Sequence, residues 1–436
     1  GDVYKRQALD GLAAHHPMLR ARFRHVGGQW HQEGIEEVPE VVIETIMLAG
    51  QDRAVQDEVL LTTANRLHAQ LDLAHGPLLR SAWFDLGVGR RPRLILTIHH
   101  LVVDAVSWGI LLSDLVTAYT QISAGEALSL PPPTTSYAQW AKVQAQLARG
   151  DSMHHEATLW LEAVQQATPL TRDGPGSKSN TEGEVQLVTV ALDKAKTEQL
   201  LYEAHKAYHT RVDDLLLTAV TRAIGAWSGR RSLLLTLERH GREDIDPRLD
   251  ISQTVGWFTS LFPVMLSLPD EEDLGKAIRA VKEQLRAVPQ NGIGYGILRY
   301  LGNKEVRRQL AAQPQPEVLF NYLGVARRAE NDALPIQPLT ANTGQVYGPQ
   351  NTRAHLIDVN ARVENGRLTA RWQYTPTYFK KATIETVTQA YINELEKLID
   401  HCLEVDQGQH TPSDFPLANL QQDDLDSLSD LLAELD

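Results

Sequence analysis

The chain has 436 residues, of which 42% are hydrophobic and 22% charged, and a formal net charge of −13; these are the proportions of a soluble globular protein too long for one ordinary core. The negative balance argues against a nucleic-acid backbone or an anionic membrane as partner, and a single cysteine, Cys402, excludes an internal disulfide and a cysteine-built zinc site. No apolar run approaches the roughly 18 residues that span a bilayer, and the first residues lack a signal-peptide apolar region, so the expected location is a reducing cytoplasm.

The opening GDVYKRQ does not continue the helical pattern of the ALDGLAAHH that follows it. It reads either as foreign to the fold, replacing a native start, or as an ordinary frayed terminus. Residues 8–16 read as the end of a helix stopped by Pro17, and 18–25 alternate as a strand. His15 and His16 form a pair at that helix end, a poor setting for catalysis. Residues 58–71 read as a helix and 78–86 as a strand leading to the most informative stretch of the chain.

That stretch, 94–115, begins with the β-rich apolar run Leu94-Ile95-Leu96-Thr97-Ile98. His99 and His100 come directly off it, Asp104 follows four residues later, and Ile110, Leu111, Leu112, Leu115 and Val116 recur at helical spacing. The histidines therefore sit where a strand gives way to a helix, a junction that fixes the backbone while letting side chains project. Histidine is also the side chain best suited to moving a proton near neutral pH. Adjacent histidines on a strand point to opposite faces, so His99, His100 and Asp104 are a poor metal set. No Gly-x-Ser-x-Gly elbow marks a serine hydrolase.

Leu130-Pro131-Pro132-Pro133 is a rigid break, after which 136–149 and 154–167 read as amphipathic helices with Trp140 and Trp160 as packing residues. Gly150-Asp151-Ser152 between them reads as a loop. The polar stretch 172–184, RDGPGSKSNTEGE, is the expected linker between an N-terminal lobe, 1–171, and a C-terminal lobe, 185–420. Beyond it 185–192 alternate as a strand, 197–205 form a helix, and a capping box at Thr210 and Asp213 opens a helix over 214–227. Residues 233–237 are a buried strand ending in Glu238-Arg239-His240-Gly241-Arg242-Glu243. A glutamate there mirrors the placement of His100, so two facing lobes would let both groups flank one cleft; a salt bridge is the competing reading of Glu238. Residues 291–296 hold three glycines and read as a loop that fits no nucleotide fingerprint. Asn321 and Tyr322 end a short apolar strand, and Trp257 and Phe258 read as core. The acidic 421–436 reads as a terminal helix or docking segment. Strand, helix and strand recur in both halves, as suits two α/β lobes.

His99-His100-x-x-x-Asp104-x-x-Ser107-Trp108 resembles the signature of the condensation superfamily of non-ribosomal peptide synthetases, and its Ser-Trp resembles the epimerization branch. The stretches 238–243, 254–263, 291–300 and 319–324 each resemble motifs of epimerization domains. Arg239 stands where that family usually has Gly, which would crowd a tunnel or distort a turn, and Gly109 stands where Arg often follows Ser-Trp. The resemblance implies two chloramphenicol-acetyltransferase-like lobes forming a V around a tunnel. It implies catalytic acid/base roles for His100 and Glu238, with His99, Ser107 and Trp108 in support and with Asn321 and Tyr322 carrying groups that could face a thioester carbonyl. It also implies a buried structural Asp104, with Arg242 as the expected ion-pair partner. The implied activity is L-to-D epimerization at the α-carbon of an aminoacyl or peptidyl thioester, without pyridoxal phosphate or metal. The thioester would hang from the phosphopantetheine arm of a partner peptidyl carrier protein, and a condensation or docking domain could follow. The alternatives are peptide-bond formation by a condensation domain and a catalytically silent carrier-docking module.

Overall fold

The computed structural model describes residues 2–427 apart from 39, 166, 177–179, 270–271, 327–335, 338, 340–341, 406–407, 419, 423 and 426. Two compact units are present, and neither is one continuous stretch. The first comprises Gly1–Gln144, Asp244–Thr259 and Arg328–Gly348; the second comprises Ala145–Glu243, Ser260–Arg327 and Pro349–Asp436. The expected linker 172–184 thus lies wholly inside the second unit. It is tied down there: Asp173 N–H donates to Tyr378 O (3.0 Å), Thr181 bridges Thr352, and Asn180 Nδ2 donates to the carbonyls of Arg353 and His355.

In the first unit the chain runs through α1 (Asp2–His15), a hairpin of β1 (Ala21–Val26) and β2 (Gln29–Gly34), β3 (Ile43–Met47), α2 (Arg53–Ala69), β4 (Leu79–Asp85), β5 (Arg93–Ile98) and α3 (Ala105–Ser123). Then comes α4 (Tyr137–Leu147), across whose last turn the division falls. The opening residues expected to fall outside the helix are helical from Asp2 onward. The expected strand over 18–25 starts only at Ala21, because Pro17 opens a 3-10 turn over Pro17–Arg20. β3, β4 and β5 form one sheet, with β3 parallel and β5 antiparallel to β4. Leu9, Leu12 and Ala13 of α1 pack with Ile110, Leu111, Leu115 and Ala118 of α3 in one core. This is the burial that helical spacing of apolar residues dictates.

The second unit contains α5 (Asp151–Ala163), β6 (Gln186–Ala191), α6 (Lys194–Tyr202), α7 (His205–Tyr208), α8 (Val212–Ser228), β7 (Ser232–Arg239), β8 (Ser260–Ser267) and α9 (Leu274–Arg286). It continues with α10 (Ile293–Leu301), α11 (Lys304–Ala312), β9 (Val318–Val325), β10 (Ile357–Glu364), β11 (Arg367–Tyr374) and α12 (Lys381–Glu404). Gly150, expected in a loop, is the N-cap of α5. α5 belongs to this unit because it packs on α10 and α11. One mixed sheet of order β6-β11-β10-β9-β7-β8 organises the unit, with β9 parallel to both β7 and β10. The period-2 pattern is clear in β10, whose Ile357, Val359, Ala361 and Val363 are buried, and in β11, whose Leu368, Ala370, Trp372 and Tyr374 are buried. α8 is buried on nearly every side and packs against α12.

The capping box of α8 falls one residue after the expected Thr210 and Asp213, since Arg211 N–H donates to Asp214 Oδ2 (2.7 Å). Gly292 ends the expected loop over 291–296, and Ile293 starts a helix. β9 continues three residues past Tyr322. Most of the acidic segment 421–436 lies outside the described residues. No helix among the described residues is long and apolar enough to cross a membrane.

Lys282 of α9 is 1% exposed, and its Nζ donates to Tyr208 O (2.9 Å) and to both carboxylate oxygens of Asp414 (2.7 and 2.8 Å). Asp414→Ala would leave that ammonium buried beside one carbonyl. The expected cost is about 3–5 kcal/mol, read as a lower urea midpoint, and Lys282→Met should cost less because the partly exposed Asp414 can hydrate.

Candidate functional site

In the first unit the candidate residues lie where β5 ends. His99 N–H donates to Leu78 O (3.0 Å), and the His99 ring turns back so that Nδ1 accepts from Leu101 N–H (3.2 Å). Burial, with the His100 charge beside it, holds His99 below the ordinary histidine range. His99 therefore shapes the turn, whereas His100 is exposed and stands edge-on to Trp257, with ring centroids 5.4 Å apart.

Asp104 caps α3. Its Oδ1 accepts from Ser107 N–H (2.7 Å), which satisfies a donor that a helix start leaves without an intrahelical partner. Its Oδ2 accepts from Phe258 N–H (3.1 Å), a residue 154 positions later in the chain. Ser107 reinforces this link: its Oγ donates to Gly256 O (2.9 Å) and accepts from Gly256 N–H (3.1 Å). Gly256 is needed there, because a Cβ would lie 2.4 Å from the Tyr137 ring. Tyr137 Oη in turn donates to Trp257 O (2.8 Å). Trp108 packs partly buried against the core, and Gly109 faces open space. Of the two aromatics expected in the core, Phe258 is buried among Tyr137 and Trp140, but Trp257 is 37% exposed. Trp257 is the functional candidate that sequence reasoning placed wrongly, and only its neighbourhood to His100 reveals it.

In the second unit the candidate residues lie on β7 and β9. Strand alternation puts Glu238 on the face of Thr236, whose Oγ1 is 2.9 Å from His355 Nε2, and puts Arg239 on the opposite face with Leu237. There Arg239 pairs with Asp213 of α8. Arg239 is an extended strand residue opposite Ser260, so it neither bends the turn nor shares the face of Glu238. The same rule separates Asn321 from Tyr322. Asn321 lies one position past Phe320, the last β9 residue registered with β7, on the face of Glu238. Tyr322 points the other way, toward α8 and α12, where burial and the nearby Asp213 carboxylate push its phenol up to about 12. Contrary to expectation, the two therefore cannot serve one carbonyl together.

Beyond β7 the chain turns at Gly241 (φ +64°), with Arg242 N–H donating to His240 Nδ1 (2.9 Å). Arg242 belongs to the second unit and Asp104 to the first. Glu243 Oε2 accepts from Asn291 Nδ2 (2.8 Å). The glycines after Asn291 have physical reasons: a Cβ on Gly292 would fall 2.1 Å from the Phe262 ring, and one on Gly294 would fall 1.9 Å from Glu156 Oε1. Glu156 also accepts from Trp160 Nε1 (2.9 Å). Among the described residues, His15, His16 and Asp114 form a grouping that could hold a metal ion, but His16 Nε2 and Asp114 Oδ2 already satisfy each other at 2.9 Å. That buried pair ties the end of α1 to α3.

Two pH-linked outcomes follow from this geometry. Burial lowers the affinity of His99 and His355 for a proton, so the unfolded chain takes up protons that the folded chain refuses. The contribution of these two histidines should be level above about pH 6.5 and turn unfavourable as the pH drops below it. A His99→Gln/His355→Gln variant should show a flatter fall in urea midpoints between about pH 6.5 and 5. Burial instead raises the Glu156 carboxyl, so its folded form resists ionisation and stability declines as the pH rises past the ordinary glutamate range. Glu156→Gln keeps an acceptor for Trp160, and its melting temperature at about pH 7 should exceed that of the parent chain.

The family described as "Condensation domain" matches residues 5–420. A linear gramicidin synthase polypeptide of Brevibacillus parabrevis is 38% identical over 424 residues, 96% of this chain and 6% of that protein, so the chain matches a small segment of it. The crystal structure of the epimerization domain from the third module of tyrocidine synthetase B superimposes with a TM-score of 0.84 at 32% identity, covering 92% of this chain and 89% of the other. The condensation domain of the monacolin K polyketide synthase MokA shares the fold at a TM-score of 0.71 and 16% identity, over 92% and 90% of the two chains. A mixed α/β chain matched from residue 5 to residue 420 belongs to the condensation-domain family.

Proposed function

We propose that this condensation-superfamily domain of a non-ribosomal peptide synthetase is an epimerization domain. The observation that carries the reading is the match to an epimerization domain at 32% identity across 92% of the chain. The local geometry supports it, because the Ser107-Trp108 and Gly256-Trp257-Phe258 segments, read as epimerization motifs, are bound to each other.

The reaction inverts the α-carbon of an aminoacyl or peptidyl residue held as a thioester on the phosphopantetheine arm of a carrier domain. One group removes the α-proton, the thioester carbonyl takes the negative charge as an enolate, and a second group returns a proton from the opposite face. His100 and Glu238 are the two acid/base groups. His100 is suited to the work because its ring is exposed, while the adjacent His99 ring is committed to the backbone. Trp257 limits the rotation of the imidazole by standing against its ring. Asn321, on the face of Glu238, is placed to donate to a developing oxyanion, whereas Tyr322 on the other face supports the sheet. Asp104 acts through structure, holding α3 and the Trp257 segment. The rival activity, peptide-bond formation, shares the His-His-x-x-x-Asp core and differs in product.

Deuterium uptake at the α-carbon of a carrier-bound aminoacyl or dipeptidyl thioester in heavy water, read by mass spectrometry, separates the readings. The expected result is uptake that depends on the protein and falls at least about 100-fold in His100→Ala and Glu238→Gln. Amide product from two loaded carriers would instead favour condensation, and no turnover with several correctly loaded carriers would favour a silent docking module. Asp104→Ala should lose at least about 2 kcal/mol of stability through the lost helix cap and the buried Phe258 N–H left without this acceptor.

A further inference from the structure

Residues Gln290, Asn291 and Gly292 have φ of +43°, +52° and +85°. Three consecutive left-handed residues, two of them not glycine, form a strained turn that persists only where its surroundings hold it. Two contacts hold it here. Gly292 lies so close to the Phe262 ring of β8 that a Cβ there would fall 2.1 Å from it, and the Asn291 side chain donates to Glu243 Oε2 at 2.8 Å. Glu243 is five residues beyond Glu238, across the tight turn at Gly241 that His240 Nδ1 closes by accepting from Arg242 N–H. The Glu243 side chain is 16% exposed, and its other oxygen, Oε1, is buried and stands 3.7 Å from His240 Nε2. The segment that leaves β7 is therefore anchored at its far end to the strained turn.

We infer that Glu243 is a positioning residue for the epimerization reaction, with Asn291 as its anchor: their hydrogen bond fixes the segment that follows Glu238 and so sets where the Glu238 carboxylate stands. This rests on the proposed function, in which Glu238 exchanges the α-proton. Neither Glu243 nor Asn291 transfers a proton. The Asn291–Glu243 hydrogen bond joins the strained turn to the segment that follows β7. Cutting the bridge lets the left-handed residues relax and loosens the segment just past Glu238 and Arg239, whose backbone stays paired with β8.

The test uses the full chain and its variants Glu243→Ala, Glu243→Gln and Asn291→Ala with a loaded carrier. Two quantities are measured: the rate of α-deuterium uptake and amide hydrogen exchange over 288–292. Glu243→Ala and Asn291→Ala should each slow uptake about 10- to 100-fold, the loss expected of a small misplacement, with KM for the loaded carrier within about twofold. Amide exchange over the turn should speed up in both. Glu243→Gln keeps an acceptor for Asn291 and should stay within about threefold of the parent with unchanged amide exchange. Loss of activity in Glu243→Gln as deep as in Glu243→Ala would assign the carboxylate its own chemistry and overturn positioning. Full activity in both alanine variants would overturn any role. A parent chain inert on every loaded carrier would defeat the epimerization reading itself, while amide exchange still reports whether the bridge holds the turn.

Discussion

The Asp104 carboxylate is the constraint on which the histidine motif depends. A helix beginning directly after a strand and a short turn presents amide donors with no partner inside the helix. Asp104 gives one oxygen to the first turn of α3 and the other to Phe258 N–H, far along the chain. A charged acceptor shared by two buried amides is a strong and geometrically demanding link. It draws the 244–259 segment back onto the histidine motif, and the reciprocal bonds between Ser107 Oγ and Gly256 fix the register of that return. Once Phe258 is held by its backbone and buried by its ring, Trp257 must point the other way, and it meets His100.

In the second unit the corresponding constraint is the two-residue period of a strand. It sorts Glu238 from Arg239 and Asn321 from Tyr322 without reference to any ligand. The face bearing Arg239 and Tyr322 is covered by α8 and α12, which explains the ion pair with Asp213 and the upward push that burial gives the Tyr322 phenol. The face bearing Glu238 carries Thr236 and His355 instead. A carboxylate placed at the last residues of a strand paired on both sides inherits the rigidity of the sheet.

Much of this was legible in the residues because it is local. The apolar run ending in His99, the acceptor at Asp104 and the helical spacing after it are short-range signals, and strand alternation is equally clear in 357–364 and 367–374. The unit boundaries were not legible. Residues 172–184 have the composition of a linker, yet Asp173 is pinned by Tyr378 and Asn180 by Arg353 and His355, partners far along the chain. Residues 244–259 carry no mark that they return to the first unit, because that membership is decided by what Asp104 and Ser107 accept and donate. Trp257 failed for a related reason: beside Phe258 in an apolar stretch it reads as core, and only the pairing partner of its neighbour shows which of the two is turned inward. The one-residue shift of the α8 cap reflects a choice between Thr210 and Arg211 that local propensity does not decide.

The glycines and the departures from the resembled motifs complete the same argument. Gly241 needs a positive φ, Gly256 would collide with Tyr137, Gly292 with Phe262 and Gly294 with Glu156, so at these positions any side chain would force the site apart. Position 239 is different. It lies in a regular strand where the backbone asks nothing special, and its side chain leaves for the helical face, where Asp213 neutralises an arginine. Position 109 faces open space on α3 and is equally permissive. The unusual residues therefore fall where neither backbone conformation nor close packing specifies the side chain, and each of these glycines stands where at least one does. An arginine beside the candidate base is consistent with an intact site, because the strand carries it to the other side of the sheet.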